Sequence, residues 1–208
     1  MVQSIHLNYT DVLSNRFVGQ GFQPMSTGLH LTVEEYGRMV ERGAFDHLNR
    51  KIELIRGEIR ETNPAGPAHD DYIIYLTDWS AHSAPRDQIR VTVQTGLTIS
   101  KLDSRPEPDL LWIRAGRYRD QHPAAADVKL AIEVSDSTLK SDLIEKAALY
   151  AEAKIVEYWI VDVQGRCVHV FREPKNGEYT DRTVAKPGEQ LLPLQPCATA
   201  LDIQDLFG

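Results

Sequence analysis

The chain has 208 residues, a formal net charge of -7 and a quarter of its residues charged, the profile of a soluble globular protein long enough to bury a core without staples. The acidic balance argues against sequence-blind DNA binding, which draws on many Lys and Arg contacts to phosphate, yet it leaves room for a local basic groove. Cys167 and Cys197 form no disulfide framework, and neither has a second Cys at metal-ligand spacing, so a reducing cytoplasm is expected and Cys167 reads as a small buried hydrophobe. The opening Met-Val-Gln-Ser-Ile-His lacks the basic and apolar regions of a secretory signal, and no apolar run reaches membrane-span length.

Residues 1–30 are polar and broken by glycine, an arm expected to order only against the body or a partner subunit. From residue 31 to residue 208 nothing resembles a linker or repeat, which predicts a single α/β domain. Thr32 to Glu35 has the pattern of a capping box, opening a helix that ends near Gly43. Ile52–Ile55 and Glu58–Ile59 predict two short strands turning at Arg56-Gly57. Asn63 to Pro67 reads as a rigid loop, and His69-Asp70-Asp71 opens the next helix, whose Tyr72, Ile73, Leu76 and Trp79 fall at helical spacing. Ile89–Val93 and Leu97–Ile99 read as strands.

The stretch from Pro108 to Asp162 then reads strand, strand, helix, strand. Asp109 opens one apolar run and Glu133 sits within the next, where a carboxylate is costly unless paired, hydrogen-bonded or bound to metal. Arg114, Arg117 and Arg119 follow the Asp109 strand as the clearest local basic cluster, a solvated loop or a phosphate-facing rim. An amphipathic helix is predicted between Asp136 and Ala153, with Leu143, Ala147, Tyr150 and Ala151 toward the sheet and Asp142, Lys146 and Tyr150 in one stripe. Ile155–Val161 predicts a strand buried on both faces. Strands over Arg166–Arg172 and Tyr179–Ala185 and a short element from Leu201 complete the chain.

Two acids delivered by separate strands suit Mg²⁺ or Mn²⁺, which take oxygen ligands and need few protein carboxylates. Such an ion suits phosphodiester hydrolysis, where a lysine commonly helps neutralise the transition state. Pro108-Asp109 followed by Glu133-Val134-Ser135 resembles the Pro-Asp…(Asp/Glu)-x-Lys signature of restriction-endonuclease-like nucleases. The longer ordered set is Glu53-Leu-Ile-Arg-Gly-Glu-Ile, Pro108-Asp109, Ile132-Glu-Val-Ser-Asp-Ser-Thr, Asp142-Leu-Ile-Glu-Lys-Ala-Ala-Leu-Tyr and Val156-Glu-Tyr-Trp-Ile-Val-Asp. It is similar to the Uma-type family within that superfamily, over roughly Leu31 to the C-terminus.

The resemblance implies a restriction-endonuclease-like core, a mixed central β-sheet flanked by helices, and a metal-dependent endonuclease of DNA acting as a homodimer. Asp109 and Glu133 would be the metal ligands. The chain departs from the signature at Ser135, so Lys146 on the following helix is assigned the lysine's role. Glu53 is either a further acid in the cleft or an edge-strand residue in a surface ion pair. His69 either touches substrate phosphate or bonds locally at its helix start. Arg114 and Arg117 are candidate phosphate contacts. Tyr150, Tyr158, Trp112 and Trp159 read as core. The competing reading is a non-catalytic member of the same fold that binds nucleic acid or protein. A carboxylate-pair glycosidase lacks a sugar-stacking aromatic cluster in this sequence.

Overall fold

A computed structural model describes residues 28–48, 50–62 and 66–208. The expected arm, apart from residues 28–30, and Asn63, Pro64 and Ala65 of the expected loop lie outside the described residues. Helix α1 (Val33–Glu41) begins on the expected capping box: Glu35 N donates to Thr32 Oγ1 at 3.2 Å and Thr32 N donates to Glu35 Oε2 at 2.9 Å. Strands β1 (Lys51–Ile55) and β2 (Glu58–Thr62) form a hairpin whose Arg56 and Gly57 both take positive φ, 50° and 77°. That conformation matches the twist of a two-residue hairpin and strains Arg56 more than glycine. The hairpin is tied to the body by Arg105 N donating to Leu54 O at 2.7 Å and Gly57 N to Asp103 O at 2.7 Å.

Helix α2 (Pro67–Ser83) leads to a six-stranded sheet of β3 (Ile89–Val93), β4 (Leu110–Arg114), β5 (Val128–Ser135), β6 (Glu157–Asp162), β7 (Cys167–Lys175) and β8 (Glu178–Ala185), in that spatial order. Only β5 and β6 are parallel. A parallel pair needs a crossover, supplied by the helical stretch 139–152. The chain closes with the short pair β9 (Gln190–Leu191) and β10 (Leu201–Asp202) and helix α5 (Ile203–Phe207).

Period-two alternation sorts the sheet into two buried faces. Leu110, Trp112, Ile132, Val134, Trp159 and Val161 pack beneath α2 and α5, where Trp79 stacks on Trp112 and Trp159 at centroid distances of 5.3 and 5.9 Å. Leu111, Ile113, Ala131, Tyr158 and Ile160 pack on the other face beneath Ala147, Leu149, Tyr150 and Ala151 of the crossover. Asp109 and Glu133 belong to this second face.

Two expectations need correction. Leu97–Ile99 makes only isolated bridges, Thr98 with Ala124 and Ile99 with Ser104. Leu97 N donates to Pro106 O, and Pro106 has no N–H to return, so the antiparallel ladder begun at Ile99 and Ser104 does not propagate. The helix expected from Asp136 starts at Leu139 and is not uniform: α3 (Leu139–Ser141) passes through a π-helical turn, Asp142–Lys146, into α4 (Ala147–Glu152). Turns of this kind often occur at functional sites. Among the described residues no helix is long and apolar enough to cross a membrane.

Candidate active site

The β4–β5 register pairs Leu110 with Ile132, and one step further sets Asp109 opposite Glu133. Asp109 Oδ2 accepts Val134 N at 2.9 Å, which fixes the carboxylate against the neighbouring strand. His69, in the first turn of α2, brings Nε2 to 3.3 Å from the same oxygen. Glu133 Oε1 accepts from Lys146 Nζ at 2.7 Å and from Tyr150 Oη at 3.0 Å. Glu53 reaches in from β1: its Oε1 accepts Glu107 N at 2.7 Å and stands 3.7 Å from Lys146 Nζ. Only 2% exposed, Glu53 is an acid of the cleft and not an edge-strand residue in a surface ion pair.

These groups line one cleft of about 470 Å³, between the hairpin, the start of α2 and the crossover helix. Asp109, Glu133, Lys146, Glu53 and His69 are therefore brought together. Ser135 points to the same face but is fully buried, and its hydroxyl donates to Asp142 Oδ2 at 2.6 Å. Arg114 and Arg117 are not in the cleft. Arg114, at the far end of β4, pairs with Asp127, while Arg117 lines a separate shallow groove with Arg90 and Arg119.

Sequence reasoning left out three participants. Lys51 lines the cleft and donates to Glu107 O at 2.7 Å; it shares a strand face with Glu53 by period two, a signal present in the alternation. Asp142 lines it as well, accepting from Ser135 and from Thr138 Oγ1. Tyr150 is core as expected, yet its hydroxyl also fixes Glu133. The stripe of Asp142, Lys146 and Tyr150 was the available signal for the last two.

Electrostatically the two strand acids differ. Burial would raise the Asp109 pKa, but hydrogen bonds from His69 and Val134 N outweigh it and hold the carboxyl below its ordinary range. The same contact with Asp109 raises His69 against the opposing effect of burial. Glu133 is pushed up to about 8, chiefly by burial, with Asp109, Asp142 and Glu53 adding to the shift and Lys146 resisting it. For Lys146 burial favours the neutral amine, but Glu133, Glu53 and Asp142 outweigh it and keep the ammonium charged. The two shifts belong together. Glu133, Glu53 and Asp142 all act on the Lys146 ammonium and hold it charged, while burial and the neighbouring acids disfavour ionisation of Glu133.

The donor set fits a hard divalent cation. Asp109, Glu133 and Glu53 each use one carboxylate oxygen in the bonds above and keep the other clear of hydrogen bonds to the described residues. All three residues line the cleft. Oxygen-only donors and excess negative charge are what Mg²⁺ or Mn²⁺ requires.

A mixed central sheet flanked by helices is the architecture expected of the restriction-endonuclease-like nucleases. The chain belongs to the Uma2 family, described as "Putative restriction endonuclease", which matches residues 33–204. It is similar in fold to a "putative nuclease belonging to DUF820" from Anabaena variabilis, with a TM-score of 0.62 and 18% identity over 85% of this chain and 97% of that one. No curated protein matches the chain.

Proposed function

We propose that the protein is a divalent-metal-dependent endonuclease of DNA, in which Asp109 and Glu133 hold the ion and Lys146 stands in for the missing strand lysine. The carrying observation is the placement of Lys146 Nζ 2.7 Å from Glu133, on the acid that follows Asp109 across the sheet. Glu53 is a further ligand or a partner that keeps Lys146 charged. A bound Mg²⁺ or Mn²⁺ would supply Lewis-acid charge at the scissile phosphate and make water a better nucleophile. The protein groups do the positioning. Val134 N and His69 orient Asp109, Tyr150 orients Glu133, and the Lys146 ammonium is set to neutralise charge that develops on phosphate oxygens.

The cleft itself is acidic, so phosphate is repelled until a cation neutralises it; Arg90, Arg117 and Arg119 offer phosphate contacts outside it. One such cleft cuts one strand, and a homodimer would cut both. Nicking of supercoiled plasmid in Mg²⁺ or Mn²⁺ tests the reading. Wild type should nick it, whereas Asp109→Ala and Glu133→Ala should not, with circular dichroism unchanged. A wild type that binds DNA in Ca²⁺ yet leaves it uncut in both Mg²⁺ and Mn²⁺ would replace this reading with a non-catalytic binding module, the role that Ser135 in place of lysine would then mark.

A further inference from the structure

A second cluster of ligating side chains lies outside the acid cleft, where β6 turns into β7. Asp162 ends β6, and the β6–β7 register places it directly opposite Cys167; His169 follows two residues on, on the same face. His169 Nε2 stands 3.6 Å from Asp162 Oδ2, Cys167 Sγ 3.8 Å from that nitrogen, and the sulfur 4.0 Å from the same oxygen. These separations are long for direct hydrogen bonds, and 3.6 Å between nitrogen and oxygen is outside the range of one. They suit three donors around a shared ion. The point equidistant from the three atoms lies about 2.2 Å from each, against roughly 2.3 Å for zinc–sulfur, 2.0–2.1 Å for zinc–nitrogen and 2.0–2.2 Å for zinc–carboxylate bonds.

We propose that Asp162, Cys167 and His169 form a binding site for a borderline-soft divalent cation, Zn²⁺ by preference, distinct from the oxygen-only cleft. The site is oriented from outside. Gly165 N donates to Asp162 Oδ1 at 2.7 Å, leaving Oδ2 for the ion, and a Cβ on Gly165 would collide with Oδ2. Such outer bonds hold a ligating carboxylate in place. Asp162 is buried, whereas Cys167 and His169 are half-buried, so a fourth position faces solvent, as in zinc sites that keep a water or exchangeable ligand. Thiolate and imidazole select Zn²⁺, Co²⁺ or Ni²⁺ over Mg²⁺, which separates the two sites chemically. The ion would cross-link the β6–β7 turn. Asp162 pairs with Ser135 in the parallel ladder, so the cross-link also abuts the end of the Glu133 strand. Cys167 would give up its thiol proton on binding.

Co²⁺ titration of the full chain provides the test, because only a thiolate ligand gives a sulfur-to-cobalt charge-transfer band in the near ultraviolet. One equivalent should produce that band in wild type, in Asp109→Ala and in Cys197→Ala. Cys167→Ser and His169→Ala should lose it, and Zn²⁺ should raise the unfolding temperature of Asp109→Ala but not of Asp109→Ala combined with His169→Ala. Gly165→Ala, whose added Cβ would meet the Asp162 carboxylate first, keeps the question answerable if Cys167→Ser fails to fold: it should weaken the band. No band in wild type, a band that survives in Cys167→Ser, or one lost in Cys197→Ala would overturn the site. A plasmid-nicking failure would bear on the acid cleft alone.

Discussion

Glu133→Gln tests how the cleft handles its excess negative charge. The Glu133 carboxyl is pushed from its ordinary 4.5 to about 8 in the folded protein. A raised folded-state pKa means that the native state holds a proton the unfolded chain has already released. The group's contribution to stability is therefore fully present below 4.5 and is lost as pH climbs through 8. At about 1.4 kcal/mol per unit, the loss across that window is up to about 5 kcal/mol. Gln carries no such proton and imitates the protonated acid, so the variant lacks this loss. Urea-unfolding midpoints in chelator, at about pH 5, 7 and 9, should show wild type falling steadily behind Glu133→Gln as pH rises. Mn²⁺ at neutral pH should displace the proton, giving wild type a binding enthalpy that varies with the buffer's ionisation enthalpy, and should stabilise the variant less. A stability gap flat in pH, or one moving the other way, would refute the proton-holding cluster and leave Glu133 as an ordinary ion-pair partner of Lys146.

Lys146→Ala is expected to lower the cleavage rate on the order of a hundredfold while Mn²⁺ affinity changes little, measured by single-turnover nicking and calorimetry; an unaltered rate would return Lys146 to a purely structural ion pair. His69→Ala removes the main influence depressing the Asp109 pKa, so the acid limb of the pH–rate profile should move to higher pH, and an unmoved limb would place His69 outside the working site. Arg172→Ala strips the guanidinium from Glu157, which is fully buried and also held by Trp159 Nε1 and Leu194 N. An unpaired buried carboxylate costs about 3–5 kcal/mol in urea unfolding, and a loss under about 1 kcal/mol would mean that the remaining donors suffice.

Periodicity and capping made most of the scaffold legible. Continuous apolar runs marked β4 and β6 because both are buried on two faces, and the capping residues of α1 acted locally, as the sequence pattern expects. Leu97–Ile99 misled because propensity reports only that a segment is extended; whether it joins a ladder depended on Pro106, which accepts from Leu97 N but cannot donate back. Asp109 and Glu133 were visible as carboxylates inside apolar runs. Arg114, in a run that read as a solvated loop or a phosphate-facing rim, lies outside the cleft because the five residues of β4 carry it away from Asp109. Cys167 read as a lone hydrophobe because its partners are spatial: Asp162 lies across an antiparallel turn and His169 two residues away on one face.

Lys146 is the instructive case, because its match to Glu133 is one of two paired contacts between the strand and the crossover. On β5, Glu133 and Ser135 are two residues apart on one face, about 6.6 Å along the strand. On the crossover, Asp142 and Lys146 are four residues apart at the two ends of the π-helical turn. The helix returns antiparallel to β5, as a crossover to a parallel strand must. Its two polar groups therefore meet the two strand groups in reverse order, Lys146 on Glu133 and Asp142 on Ser135. A lysine at 135 would sit under Asp142, in a place the helix closes over completely. The helix instead delivers the ammonium one level down the strand, directly onto the acid. Spacing of two on the strand and four on the helix that follows it was readable in the sequence as a joint pattern, whereas either spacing alone identifies only a buried face.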